Sequence, residues 1–371
     1  MSGKARISIL DGFRAVAIIS VMLYHYFSRW IPPNVDVSLY PYGTRYDYFK
    51  YGYLGVEFFF VISGFVIFFT LERTKTWSVF WQKRMIRLLP SMVIASFLTL
   101  AFFSLFDRSG LFPASHDPKN LIPSVSFVHP GIFNHLFNLD LTYITGSYWS
   151  LWPEIQFYML SSVIFFLDKK RFLMNFMIIS IVLIALDRFI LNAGGALGSS
   201  MGPPGFYTEF ISNGFNLITY LPFFCLGILF YRISSDRIRG TRTSPFIAVC
   251  CTVIARHVVL SGDVFAVRMI YSVIICTFLV FIYFPRYLGP LGRTPMSEVG
   301  ESSYFLYLIH ENLGVFMIYA LGRHIWPDSF LMPAIVIASL SWLSIVYTRT
   351  VDMPVNNWLK TRLIGVRKDQ G

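Results

Sequence analysis

The sequence predicts an all-α protein, a polytopic membrane helix bundle of about ten transmembrane helices, and three observations carry that prediction. Of its 371 residues 55% are apolar and only 14% are charged, whereas a soluble chain carries roughly 45–50% apolar and about 25% charged residues. The mean hydropathy is +0.58. Apolar runs of spanning length, roughly 20 residues each, recur along the whole chain and leave too little sequence for a large water-soluble head.

In order, the runs fall near residues 7–28, 53–71, 88–106, 146–167, 172–191, 212–231, 246–260, 267–284, 302–321 and 332–349. The first carries Asp11, Arg14 and His25 and lacks a small-residue cleavage site, so it reads as a span and not as a signal peptide. The second and third are the clearest, the fourth holds Glu154 behind Pro153, and the seventh is short. Cys225, Cys250, Cys251 and Cys276 lie inside apolar stretches without CxxC spacing, which indicates neither a disulfide framework nor a metal site. No internal repeat at a fixed period is evident.

An even number of spans puts both termini on one side. Of the 31 basic residues, 21 fall on that side and nine on the other, with Arg14 inside the first span. The positive-inside rule therefore predicts cytoplasmic termini, and the formal charge of +11 reports orientation without calling for a nucleic-acid partner. The two longest connections, 29–52 and 107–145, are expected outside. Rich in Tyr, Pro, Asn and His, they suit a lid over a site that takes a polar molecule from that face.

Ionisable side chains within spans are expensive, and each is a functional candidate. Arg14 and His25 are eleven residues apart, which brings them within about 20° of one helical face and about 16 Å apart along the axis. Asp11 shares the groove. Glu57 opens the second span, level with His25 on the first, and a carboxylate beside an imidazole fixes its tautomer and raises its basicity. Ser63 and Gly64 offer a small-residue surface where a helix or a thin acyl chain can approach. Arg84 and Arg87 are neighbours on one helical face and suit a phosphate, although anchoring arginines are also common at that depth. Glu154, with Gln156 and Trp149 nearby, reads as a polar site at the outer margin. His310 sits near the middle of the ninth span, where structural and functional roles are both open.

Four motifs then resemble the integral-membrane acyltransferase family 3, which O-acylates bacterial surface polysaccharides and related glycans. They are Leu10-Asp-Gly-Phe-Arg14 with ten residues before His25; Gly55-Val-Glu-Phe-Phe-Phe-Val-Ile-Ser63-Gly64-Phe65; Arg84-x-x-Arg87; and Trp149-Ser-Leu-x-x-Glu154-x-Gln156-Phe-Tyr158. The segment Ser303-Tyr304 to His310 looks like the family's late-helix motif. The resemblance spans residues 10–310 and implies ten core helices in a bacterial inner membrane. It also implies a cytoplasmic acyl-CoA donor, usually acetyl-CoA, bound as a substrate and not as a resident cofactor, and a hydroxyl acceptor outside. The acceptor would be an O-antigen, exopolysaccharide or lipopolysaccharide unit or another glycan. Two departures stand out. Ile155 replaces a second Glu that many members have after the residue matching Glu154, and Glu57 stands where Asp is frequent. About 22 residues follow Arg349, so the soluble esterase-like domain that some members add is expected to be absent, leaving one membrane-embedded domain over 1–371.

The expected mechanism holds the CoA phosphates on Arg84 and Arg87 with help from Arg14. His25, oriented by Glu57 or Glu154, deprotonates the acceptor hydroxyl. Ser63 and Gly64 are assigned to the donor, and Trp149, Gln156 and His310 to the acceptor. Direct transfer and a covalent acyl-enzyme relay are both open. The competing class is a transporter or flippase in which Arg14, His25, Glu57 and Glu154 form an intramembrane relay; the absence of repeats and the order of the motifs weigh against it.

Overall fold

A computed structural model describes residues 3–29, 47–196, 214–322, 324–325 and 329–365. Helix α1 (Gly3–Tyr24) passes into a π-helical turn (His25–Arg29), and a 3-10 segment (Asp47–Leu54) leads into α2 (Gly55–Glu72). The long α3 (Trp77–Phe106) follows; its first turn is closed by the Thr76 hydroxyl, which accepts from Val79 N. Three short helices, α4 (Pro113–His116), α5 (Leu121–Ser126) and α6 (Pro130–Phe137), make a cap on the far end of the bundle. A 3-10 turn (Gly146–Ser150) starts α7 (Leu151–Leu167), and then come α8 (Phe172–Ala196), α9 (Leu217–Arg239), α10 (Pro245–Ser261) and α11 (Phe265–Tyr283). A second 3-10 segment (Pro285–Gly292) and α12 (Met296–Glu301) lie at the end where α1 begins. From there α13 (Ser303–Gly322) runs out and α14 (Leu331–Tyr347) returns through a π turn (Thr348–Asp352) into α15 (Met353–Ile364).

Nine described helices are long and apolar enough to cross a membrane, and the 17-residue Pro245–Ser261 is the short seventh. The described residues thus form a multi-pass helical bundle without strands. The sixth span is displaced toward the C-terminus relative to the hydropathy reading, because α9 continues through Arg239 and closes on Gly240, whose φ of 70° suits glycine at a helix end. Solvent polarity is inverted at the perimeter. Leu105, Leu167, Phe189 and Trp342 are exposed, and only 17% of the spanning window of α8 is buried, as expected of lipid-facing helices.

The centre is set by close backbone contacts. On α2 a Cβ at Gly64 would strike the Phe224 carbonyl, and on α9 a Cβ at Gly227 would strike that of Val61. The small-residue surface expected around Ser63-Gly64 is therefore partly a helix crossing. At the other end Gly12 packs on Leu291 and Gly300 on the Asp11 carbonyl, locking α1 to the second 3-10 segment and to α12.

Candidate active site

His25 begins the π turn of α1, a distortion often found at functional sites, and it is buried at 4% exposure. Its Nδ1 lies 3.4 Å from Glu311 Oε1, and its ring centroid is 5.1 Å from that of His310. Glu311 is a hub. Its Oε2 accepts from the Ser147 backbone N–H and, at 3.4 Å, from the Thr145 hydroxyl. Gly146 leaves room for it, since a Cβ there would stand 3.0 Å from Oε1. His310 has its Nδ1 2.7 Å from the Tyr307 carbonyl, and its Nε2 is buried without a hydrogen-bond partner. The Tyr26 hydroxyl donates to the His310 carbonyl at 2.8 Å, which ties α1 to α13.

The cap reaches down to this cluster. Asn312 donates to Ser115 Oγ at 2.8 Å, Ser115 donates to the Ile144 carbonyl at 2.7 Å, and Tyr307 donates to the Ser147 carbonyl at 2.9 Å. The segment before α7 therefore enters the bundle as far as the middle of α13, and α7 starts at that depth. Irregular backbone is tolerated there because it is enclosed by protein.

A cavity of about 80 Å³ approaches the histidines as far as Tyr307, although neither histidine lines it. Ser150 and Tyr307, hydrogen-bonded at 2.7 Å, line its upper part, and the Tyr307 and His310 ring centroids are 5.3 Å apart. Arg14, Arg84 and Arg87, from α1 and α3, line its lower part. Arg14 is paired with Asp11 at 2.5 Å. Arg84 is 8% exposed and lies over the Phe80 and Tyr158 rings, and its Nε has no partner. No described carboxylate comes within ion-pair distance of Arg84 or Arg87. Arg87 is exposed, whereas the buried guanidinium of Arg84, without a paired carboxylate, is costly and suits an anionic ligand.

Of the residues singled out in the sequence, His25 and His310 meet at one end, while Arg14, Arg84, Arg87, Ser63 and Glu154 share the cavity. Two assignments need correction. Glu154 does not orient His25: its Oε1 accepts from Ser63 at 2.7 Å and from Tyr158 at 2.6 Å, on the arginine side, because α7 begins deep in the bundle. Nor does Glu57 reach the imidazole. It lies on the face of α2 directed at α9 and α11, within electrostatic reach of Tyr53, Tyr220 and Tyr271, and its buried Oε2 has no partner. Gly64 is occupied by the α9 crossing. Gln156 donates to the Gly214 carbonyl at 2.6 Å and accepts from Leu217 N, holding the start of α9, and Trp149 packs on Tyr220. The outer connection 29–52 lies outside the described residues over 30–46. Sequence reasoning missed Glu311, Asn312 and Tyr307, although a carboxylate directly after His310 inside a span was a readable signal.

A model of the acyltransferase domain family, acyltransferase family 3, matches residues 7–349. The chain belongs to acyltransferase family 3. The family resemblance of the motifs is thereby established for nearly the whole sequence, and the chain is a membrane acyltransferase by family. Among curated proteins it is similar to O-acetyltransferase OatA of Staphylococcus aureus strain NCTC 8325, 29% identical over 174 residues, covering 44% of this chain and 25% of that protein. Proteins of S. aureus strains COL and MSSA476, provisionally named O-acetyltransferases, are 27% identical over 206 residues, covering 50% of this chain and 30% of theirs. The matches thus take in less than a third of those relatives. No solved structure matches the chain significantly.

Proposed function

We propose that this acyltransferase moves an acetyl group from acyl-CoA on the side of the termini, which the basic-residue bias assigns to the cytoplasm, to a hydroxyl of a glycan or glycolipid on the opposite side of a bacterial inner membrane. One observation carries this reading: a cavity lined by three arginines extends to Tyr307, whose ring packs on His310 next to the buried His25–Glu311 pair. The names of the relatives support acetyl as the group transferred.

The chemistry follows from the two ends. The CoA phosphates lie against Arg14, Arg84 and Arg87, where charge-assisted hydrogen bonds are strong, and the thioester arm rises toward Tyr307. With Nδ1 directed at Glu311, the imidazole takes the acceptor hydroxyl proton on Nε2 as general base. The alkoxide oxygen attacks the thioester carbonyl, the C–O bond forms, the C–S bond breaks, and the proton on His25 passes to the leaving thiolate. Glu311 stabilises the transient imidazolium.

Binding tests the donor half. Full-length protein in lipid nanodiscs is expected to bind acetyl-CoA saturably, and the Arg84→Ala, Arg87→Ala double variant to lose most of that binding. Undiminished affinity in the double variant would remove the donor site from this cavity. Labelled donor without acceptor separates direct transfer, which leaves the protein unlabelled, from a covalent relay, which labels it.

A further inference from the structure

We propose that Glu154 is a donor-binding residue that accepts the N–H of the amide nearest the thioester, and so sets how far the acyl group rises toward His25. This rests on the acyl-CoA reading above. The carboxylate is loaded on one side only. Both hydroxyls that reach it, from Ser63 and Tyr158, donate to Oε1, while Oε2 takes no hydrogen bond from any described residue and is not sealed away from the cavity that Glu154 lines. An ionised carboxylate is acceptor-only with about four lone-pair directions, so Oε2 calls for an N–H or O–H from a ligand. The two hydroxyls fix the side chain, and the preference is built before the ligand arrives.

Helix α7 acts as a ruler for the ligand. Tyr158 lies under Arg84, Glu154 is one turn up, and another turn up, in the 3-10 turn leading into α7, Ser150 is hydrogen-bonded to Tyr307, whose ring is 5.3 Å from that of His310. Each step is about 6 Å of rise. In a coenzyme A thioester the nearest amide nitrogen is three covalent bonds from sulfur, about 4 Å when extended. An amide held at Glu154 therefore presents the thioester carbonyl near Tyr307, at the foot of the His25–Glu311 pair. The phosphates, farther along the same chain beyond a second amide, then lie toward the arginines.

The alternative role for Glu154 is a counter-charge to the arginines, and two small donors separate the roles. Acetyl-S-N-acetylcysteamine keeps the amide N–H and lacks the phosphates; its N-methyl analogue lacks the N–H as well. Thiol release by the full-length protein in nanodiscs, with a bacterial glycan extract supplying the acceptor hydroxyl, is followed with both and with acetyl-CoA. The wild type is expected to favour the N–H donor over its N-methyl analogue by about tenfold in kcat/KM, the scale of one hydrogen bond to a charged group. Glu154→Ala is expected to lose that preference and to fall about tenfold with acetyl-CoA. Glu154→Gln, which keeps an acceptor oxygen, should retain most of both, while Arg84→Ala should fall with acetyl-CoA alone. Equal turnover of the two small donors by the wild type would overturn the proposal without any variant. So would Glu154→Ala and Glu154→Gln falling alike with acetyl-CoA while leaving the small donors unchanged. Failure of the wild type to bind acetyl-CoA would instead remove the donor reading itself.

Discussion

The two ends of the site handle charge in opposite ways. At the upper end, Glu311 has His25 on one oxygen and the Ser147 and Thr145 donors on the other, and the neighbouring Asn312 and Tyr307 tie the same helix to the cap. At the lower end, the buried Arg84 has an orphaned Nε, the exposed Arg87 has no ion pair among the described residues, and Arg14 has a close carboxylate in Asp11. A carboxylate loaded on both oxygens holds a geometry, while a guanidinium left under-paired waits for a ligand to complete it. The first arrangement suits catalysis, which needs groups fixed before the substrate arrives, and the second suits binding and release of an anion.

Breaking the upper end gives the largest effects. His25→Ala is expected to lower transfer by about 10²–10⁴-fold while leaving membrane insertion and acetyl-CoA binding intact; transfer at the wild-type rate would end its role as base. Glu311→Gln, which keeps the shape and removes the charge, is expected to lower kcat by roughly tenfold to a hundredfold with little change in donor KM, and a change confined to KM would contradict the comparison. Asn312→Ala removes a buried hydrogen bond to the cap, worth about 1 kcal/mol. The thermal midpoint should fall by about 2 °C with donor affinity unchanged.

The smallest effect concerns pH at the cap. Asp107 ends α3 and accepts from Ser109 N at 2.8 Å and Ser109 Oγ at 2.6 Å, with His116 Nε2 2.8 Å away. Burial works against its ionisation, but the hydrogen bonds from Ser109 and His116 outweigh it and hold the carboxyl below the usual carboxylate range. Its contribution is fully present above the unfolded value of about 3.9 and is lost as pH falls through the lower folded value. Limited proteolysis of residues 107–145 should therefore be flat from neutral pH to about 4 and accelerate below it. Asp107→Asn should remove the acid step, and an unchanged step in that variant would assign it elsewhere.

Much of this was readable from residues alone. Hydropathy located the spans because lipid demands long apolar helices, and helical arithmetic put Arg14 and His25 in line because α1 is regular up to Tyr24. What hydropathy could not register is depth. The run beginning at residue 146 looks like a helix starting at the surface, yet its first turn is drawn inward by Glu311 and Tyr307, which carries Glu154 down to Ser63. The direction of a side chain around α2 was equally hidden, since both faces of that helix are apolar. Only the partner helices decide that Glu57 looks toward α9 and α11 while Ser63 looks into the cavity.

The crossing of Gly64 and Gly227 has a mechanical consequence. Where two backbones touch with no side chain between them, nothing compressible remains to absorb a displacement, and close-packed interiors transmit strain instead of yielding to it. Helices α2 and α9 then move as one stiff beam. Val56, Phe59 and Ser63, on the other side of that beam, form a wall of the cavity that cannot recede. Any widening that admits a ligand must come from α1, α3, α7 or α13, and the threshold for opening is set by how those helices are held at the cap and at α12.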